Sequence, residues 1–302
     1  MEKKDLTLVF PQWQGSIDNI ALYDGALELA GKITGLPALR KVNVPPYYEL
    51  EKGSGIVGKE DIVRQLIEAR SILEKDDPDR ILLLGGDCST EAAPVSWLNR
   101  KFGNDLALVW FDAHPDLNNP RSSISGRFQG MALAALLGQT GRELDEAMCG
   151  SIKSGQIFCA GQQIFDPHEM DVLTKEKIRI FSPGELEIDP SWLAKQIRRS
   201  GFGRVYIHLD VDAVNPMGFP HGKKTLPAGI SFNHLLAMIE YMDDNLEICG
   251  LGITEFHPGS ERGIKKAEQL IRKTLNNFIK SESDRPDRHS RENMSSVLPA
   301  GQ

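Results

Sequence analysis

The stretch Ala107-Leu108-Val109-Trp110-Phe111-Asp112-Ala113-His114-Pro115-Asp116 constrains this chain more than any other. Five apolar residues in succession describe a strand buried on both faces, as in a parallel sheet. They run directly into three metal-type ligands at alternate positions. With extended backbone, positions i, i+2 and i+4 point the same way, so Asp112, His114 and Asp116 converge on one point. Two carboxylates and an imidazole are unfavourable beside a core unless a cation satisfies them. The competing reading, a strand followed by a polar turn, explains one such residue but poorly explains three in register.

The rest of the chain repeats this construction. Apolar runs predict strands at 6–10, 38–44, 80–84, 156–159, 205–209 and 248–253. Apolar residues at helical spacing predict helices over 20–32, 59–73, 130–137, 191–199, 232–242 and 263–279, and another opening near Thr90. In the 59–73 helix, Ile62, Leu66, Ile67 and Ala69 are assigned to the inner face. Strands alternate with helices and no Pro/Gly/Ser-rich linker divides the chain. That predicts a single doubly wound α/β domain over 1–280, with a mainly parallel sheet and helices on both faces. From Ser281 the chain is polar, charged and Pro-bearing, and a mobile tail is expected over 281–302. In such folds ligands bind outside the carboxyl ends of the strands. Cys88, Asp112, Asp116, Asp210, Asp212 and Glu255 all follow an apolar run at that end. Gly85 and Gly86 permit a tight turn ahead of Cys88.

The net charge of −7 argues against a general nucleic-acid binder. No apolar run approaches the roughly 18 residues of a membrane span, and residues 1–5 lead into no signal-peptide core. The four cysteines, Cys88, Cys149, Cys159 and Cys249, form no C-x-x-C pair. They are expected to be reduced thiols in a cytoplasmic protein.

Acidic and imidazole residues from two strand ends suffice for two adjacent cations bridged by carboxylates. Two-metal sites hold their ions about 3.5–4 Å apart and supply a hydroxide at neutral pH. Oxygen-rich donors with one imidazole suit manganese. Four motifs then occur in order over about residues 80–260: Gly85-Gly86-Asp87-Cys88-Ser89, Asp112-Ala113-His114-Pro115-Asp116, Asp210-Val211-Asp212, and the glutamate after Gly250-Leu251-Gly252-Ile253-Thr254. Together they resemble the ureohydrolases, the family of arginase, agmatinase, guanidinobutyrase and formiminoglutamase.

The resemblance implies a three-layer α/β fold, a homo-oligomer and two divalent ions. It also implies hydrolysis of a linear C–N bond in a guanidino or formimino compound by a metal-activated hydroxide. One ion would be held by Asp112, His114, Asp210 and Asp212. The other would be held by Asp112, Asp116, Asp210 and residue 88, with Asp112 and Asp210 bridging. Asp116 would also steer the hydroxide, and Glu255 would pair with the cationic head of the substrate. Asn118, Ser125, Arg127 and Asp166 fall where arginase-like enzymes grip the amino-acid end.

Two residues depart from the family pattern. Cys88 stands where the first motif normally has histidine. As a thiolate ligand it would favour zinc, iron or cobalt over manganese; otherwise it is a small buried residue beside a weak site. Gln129 stands where arginases and agmatinases carry a proton-shuttling histidine, and glutamine positions groups but cannot titrate. Formiminoglutamases manage without that histidine, so hydrolysis is expected but typical arginase activity is not. The alternative is a catalytically altered metal- or ligand-binding protein on the same scaffold. His208 is assigned to the core, one side away from the ligand line. His257 follows Glu255 at strand spacing, within reach of the mouth of the site, but the favoured reading gives it no functional role. Glu255 and Arg127 together suggest a substrate with a cationic amidine head and an anionic tail.

Overall fold

The apolar runs become strands that all point the same way, and the amphipathic stretches between them fold back as helices. The computed structural model describes residues 3–53, 55–220 and 228–275; the expected tail over 281–302 lies outside them. The strands are β1 (Asp5–Phe10), β2 (Leu39–Lys41), β3 (Lys52–Gly53), β4 (Ile56–Val57), β5 (Arg80–Gly85), β6 (Ala107–Phe111), β7 (Ile157–Ala160), β8 (Arg179–Phe181), β9 (Arg204–Asp210) and β10 (Glu247–Thr254). The helices are α1 (Ala21–Lys32), α2 (Lys59–Asp76), α3 (Ala92–Lys101), α4 (Ala132–Leu136), α5 (Arg142–Ala147), α6 (Pro167–Glu176), α7 (Pro183–Leu186), α8 (Trp192–Arg199), α9 (Phe232–Asn245) and α10 (Glu261–Thr274).

Eight strands form one parallel sheet in the order β2-β1-β5-β10-β9-β6-β7-β8, and β3 and β4 form a small antiparallel pair. Alternation along each strand feeds two cores. Ile81, Leu83, Leu108, Trp110 and Tyr206 face one side, where α2 and α3 pack with Ile62, Leu66, Ala69 and Leu98. Leu82, Leu84, Val109, Phe111, Ile207 and Leu209 face the other, against α9 and α10 through Leu235, Ile239, Leu270 and Ile271. The three-layer expectation therefore holds, because residues i and i+1 of a strand bury on opposite faces.

This topology also selects where a ligand can sit. β6 and β9 are neighbours. The chain leaves β6 through α4 and α5 on the first face and leaves β9 through α9 on the second. Connections departing in opposite directions open a crevice between the two strand ends. Asp112 follows β6 and Asp210 ends β9, so both carboxylates stand at that crevice.

Several local expectations are corrected. Ile67 is 42 % exposed, because the inner face of α2 runs through Ile62, Leu66, Ala69 and Leu73 at helical spacing. The strand expected over 38–44 is only Leu39–Lys41, an exposed edge strand. The stretch at 130–137 divides into a 3-10 turn, Gln129–Met131, and α4. The segment holding α5, α6, β8 and α7 is too polar and too short in its periods to read from pattern alone.

Candidate metal centre

The turn after β5 is fixed by close backbone approach. A Cβ on Gly86 would lie 1.9 Å from the Gln12 carbonyl, so only glycine fits. The Asp87 amide donates to that carbonyl at 3.0 Å, and its carboxylate accepts from the Ser89 amide at 3.0 Å. Burial pushes the Asp87 carboxyl up to about 6, against those hydrogen bonds. The turn delivers Cys88 into the crevice. From the neighbouring strand, the Glu255 amide donates to the Gly86 carbonyl at 2.8 Å. Asp116 and Glu255 both hold left-handed backbone, φ 50° and 59°. Non-glycine residues pay about 1–2 kcal/mol for that conformation and keep it where the surroundings demand it.

Three groups of donor atoms gather there. Asp112, His114 and Asp212 form the first: His114 Nδ1 is 3.4 Å from Asp112 Oδ1 and 3.3 Å from Asp212 Oδ2. Cys88, Asp210 and Glu255 form the second, with Cys88 Sγ 3.3 Å from Asp210 Oδ2. Cys88, Asp112 and His208 form the third, with His208 Nε2 3.6 Å from Asp112 Oδ2. Donor atoms about 3–3.5 Å apart match a cation with bonds of about 2.1 Å. Backbone amides aim these carboxylates. The His114 amide donates to Asp112 Oδ1 at 2.7 Å, that of Asp212 to Asp210 Oδ1 at 2.8 Å, and that of Ala113 to Asp212 Oδ1 at 3.1 Å. Asp116 lies outside these groups; its Oδ2 is buried without a hydrogen-bond partner among the described residues.

The electrostatics are those of crowded anions. Burial, followed by the charges of Asp210, Asp116, Asp112 and Glu255, pushes the Cys88 thiol well above its ordinary 9.0. Burial and then the neighbouring carboxylates likewise raise Asp210 and Asp116. For His114, burial works downward, but hydrogen bonds to Asp112 and Asp212 outweigh it and raise the imidazole. A divalent cation among these groups would reverse the carboxylate and thiol shifts. The donor chemistry, the spacing and the unpartnered Asp116 Oδ2 all fit such an ion.

A cavity of about 1000 Å³ opens over the cluster. Cys88, His114, Asp116, Asp210, Asp212 and Glu255 line its floor, and Asp112 is buried beneath them. Asn118, Ser125, Arg127, Gln129 and Asp166 line the same cavity. Asn118 Nδ2 donates to Asp166 Oδ2 at 2.8 Å, and Ser125 Oγ accepts from the Arg127 amide at 3.3 Å. Gln129 Oε1 is buried without a partner among the described residues. Arg127 pairs with Asp18, Nη2 to Oδ1 2.9 Å. His257 is at the cavity edge, its Nε2 3.2 Å from Asn19 Nδ2.

Sequence reasoning missed three contributors and misplaced a fourth. Glu169 accepts from the Leu117 and Asp166 amides at 3.0 and 2.9 Å, tying the loop after β6 to the start of α6. His168 lines the cavity beside Asn119. Glu91 reaches His208, Oε1 to Nδ1 2.9 Å. His208 itself is buried, as expected, but faces the ligands. Positions 208 and 210 are two apart on one strand and share a side, so the placement away from the ligand line is corrected. That spacing was the available signal.

Comparison with known proteins gives the same answer from a different direction. The model of the arginase family matches residues 33–277. Arginase from Staphylococcus aureus strain COL is 26 % identical over 236 residues, covering 76 % of this chain and 78 % of that protein. Entamoeba histolytica arginase, solved in complex with L-ornithine, superposes with a TM-score of 0.81 at 22 % identity, covering 91 % of this chain and 100 % of that one. Formimidoylglutamase from Bacillus subtilis gives 0.68 at 15 % identity, with 93 % and 89 % covered. The fold is shared with both solved structures, and the match of the family model over most of the sequence places this chain in the arginase family of hydrolases.

Proposed function

We propose that the protein hydrolyses a linear C–N bond of a guanidino or formimino acid at a site for two divalent cations. The observation that carries this reading is the joint placement of the donor groups and the partnerless Asp116 Oδ2 on the floor of one cavity. When bound, the cations supply a water acidic enough to ionise near neutral pH and neutralise charge on the reacting carbon's substituents. The Asp112, His114 and Asp212 set, hard and oxygen-rich, suits manganese, and a site including Cys88 suits a softer ion. The same reading has a cytoplasmic homo-oligomer.

The chain's own groups then divide the work. Glu255, on strained backbone beside Asp210, offers its carboxylate to a cationic amidine head. Asp116 Oδ2, buried at the cavity floor without a hydrogen-bond partner among the described residues, takes the proton of the attacking water and returns it to the leaving nitrogen, its carboxyl being brought back down by the bound cations. Gln129 Oε1 accepts an N–H of the head group and so orients it without titrating. Asn118 and Asp166, already bonded to each other, meet the distal end. Arg127 turns from Asp18 toward an anionic tail; a bidentate carboxylate at the cavity offers it more than one exposed aspartate does.

The test compares turnover of a guanidino or formimino acid with that of its decarboxylated amine analogue, in the wild type and in Arg127→Ala. The acid is expected to be the better substrate, and Arg127→Ala to reduce its kcat/KM by about 1.5–3 kcal/mol equivalent while sparing the amine. Preference for the amine, or an unchanged acid kcat/KM in the variant, rules out the assignment of the anionic tail.

A further inference from the structure

Trp110, His208 and Gly252 stand side by side on β6, β9 and β10, in register across the sheet. The Trp110 ring stacks on the imidazole with centroids 3.5 Å apart. On the other side, a Cβ at position 252 would lie 1.7 Å from Glu91 Oε1. Glycine there lets the Glu91 carboxylate, fully buried, reach over β10 to His208. Glu91 Oε1 lies 2.9 Å from His208 Nδ1, the spacing at which Nδ1–H donates to the carboxylate. That hydrogen bond selects the tautomer with its lone pair on Nε2.

The Nε2 atom is buried and has no hydrogen-bond partner among the described residues. It lies 3.6 Å from Asp112 Oδ2, and with Cys88 Sγ these atoms all fall within 4.8 Å of one another. An imidazole stacked on one face by Trp110, oriented by a carboxylate at one nitrogen and bare at the other, has the construction of a metal-ligating histidine. Packing alone gives no reason to bury a glutamate behind it.

We propose that His208 Nε2, Cys88 Sγ and Asp112 Oδ2 hold one of the two cations, with Glu91 as the carboxylate that orients the imidazole. The proposal deepens the two-cation reading and rests on it, though not on the choice of substrate. Its sulfur, nitrogen and oxygen donors are softer than those of the Asp112, His114 and Asp212 set, so the floor of the cavity offers two sites of unequal hardness sharing Asp112. Zinc, cobalt or ferrous iron occupies the deeper site in preference to manganese. His208 thereby supplies from β9 the imidazole that Cys88 does not.

Cobalt titration of the full chain, followed by visible and near-ultraviolet absorption, reads the site without any assay of activity. Wild-type protein is expected to bind two ions, one of them with a thiolate-to-cobalt charge-transfer band. His208→Gln should abolish that band while leaving the second ion bound, and Glu91→Gln should weaken the band-bearing ion by about 10–100-fold. Retention of the band at wild-type affinity in both variants overturns the proposal, as does a wild type that binds cobalt without the band. A wild type that binds no ion overturns the two-cation reading as well, which separates the two failures. X-ray absorption on His114→Asn loaded with one equivalent of zinc needs no change at position 208. Sulfur and imidazole scattering from one ion is expected, and sulfur without imidazole contradicts the assignment.

Discussion

Asp112 is the residue on which the account turns. Its two oxygens face different partners, Oδ1 toward His114 and Oδ2 toward Cys88 and His208. Burial alone would raise its pKa, yet the His114 imidazole beside Oδ1 leads the groups that bring the carboxyl below its ordinary value. A carboxylate kept ionised while its neighbours Asp116 and Asp210 are raised, and shared by two of the donor groups, would serve both cations of the proposed site. Asp112→Asn should therefore lose both ions, whereas His114→Asn should lose one; elemental analysis of the two purified variants checks this. Full metal content in Asp112→Asn would remove the bridge from the account. At this scale the sequence was highly legible. Alternation after β6 placed Asp112 and His114, and the carboxyl end of β9 placed Asp210 and Asp212. The conformation of Asp116 and the three-way setting of His208 were not legible; that of His208 depends on Gly252 of β10, Glu91 in the turn before α3 and Trp110 of β6, which spacing along one strand does not contain.

Elements position these residues through a few contacts that admit no extra atom. Helix α1 docks so tightly that a Cβ on Gly25 would lie 1.8 Å from the Phe256 carbonyl, one residue beyond Glu255. Gly31 on the same helix has nothing within 4 Å of such a Cβ. Gly25→Ala should therefore destabilise by about 1–3 kcal/mol and displace the Glu255 segment. Gly31→Ala should be neutral or stabilise by up to about 1 kcal/mol through helix propensity. Urea unfolding of both variants checks the pair, and equal effects would mean that the docking of α1 tolerates movement. Strands β1, β5, β6, β7, β9 and β10 were legible because each is an apolar run, and the inner face of α2 was legible except at Ile67. Helices α5, α6 and α7 and strand β8 were not. There, capping supplies the order that periodicity does not signal: Ser182 accepts from the Glu185 amide, and the Asp166 amide donates to Glu169.

Across the whole molecule, parallel strands and opposed crossovers bring acidic loops to one edge of the sheet, and bound cations would make that concentration of charge tolerable. The directions of the Cys88, Asp116 and Asp210 shifts fix a pH dependence. Each group binds its proton more tightly in the cation-free fold than its ordinary value implies. Cations must displace those protons, so loading releases protons and apparent affinity rises as pH increases. Dissociation constants measured at pH 6 and pH 8 should differ by at least tenfold in that direction; equal values would contradict the raised carboxyl and thiol pKa values. The central claim is hydrolysis that depends on two cations, and one titration tests it most directly. Chelator-treated protein is supplied with zinc and manganese in stepwise equivalents while urea or ammonia release from a guanidino or formimino acid is followed. The account predicts no turnover without cations and full activity only as the second equivalent binds. Turnover at zero equivalents, or none from any such acid once two ions are bound, would contradict it.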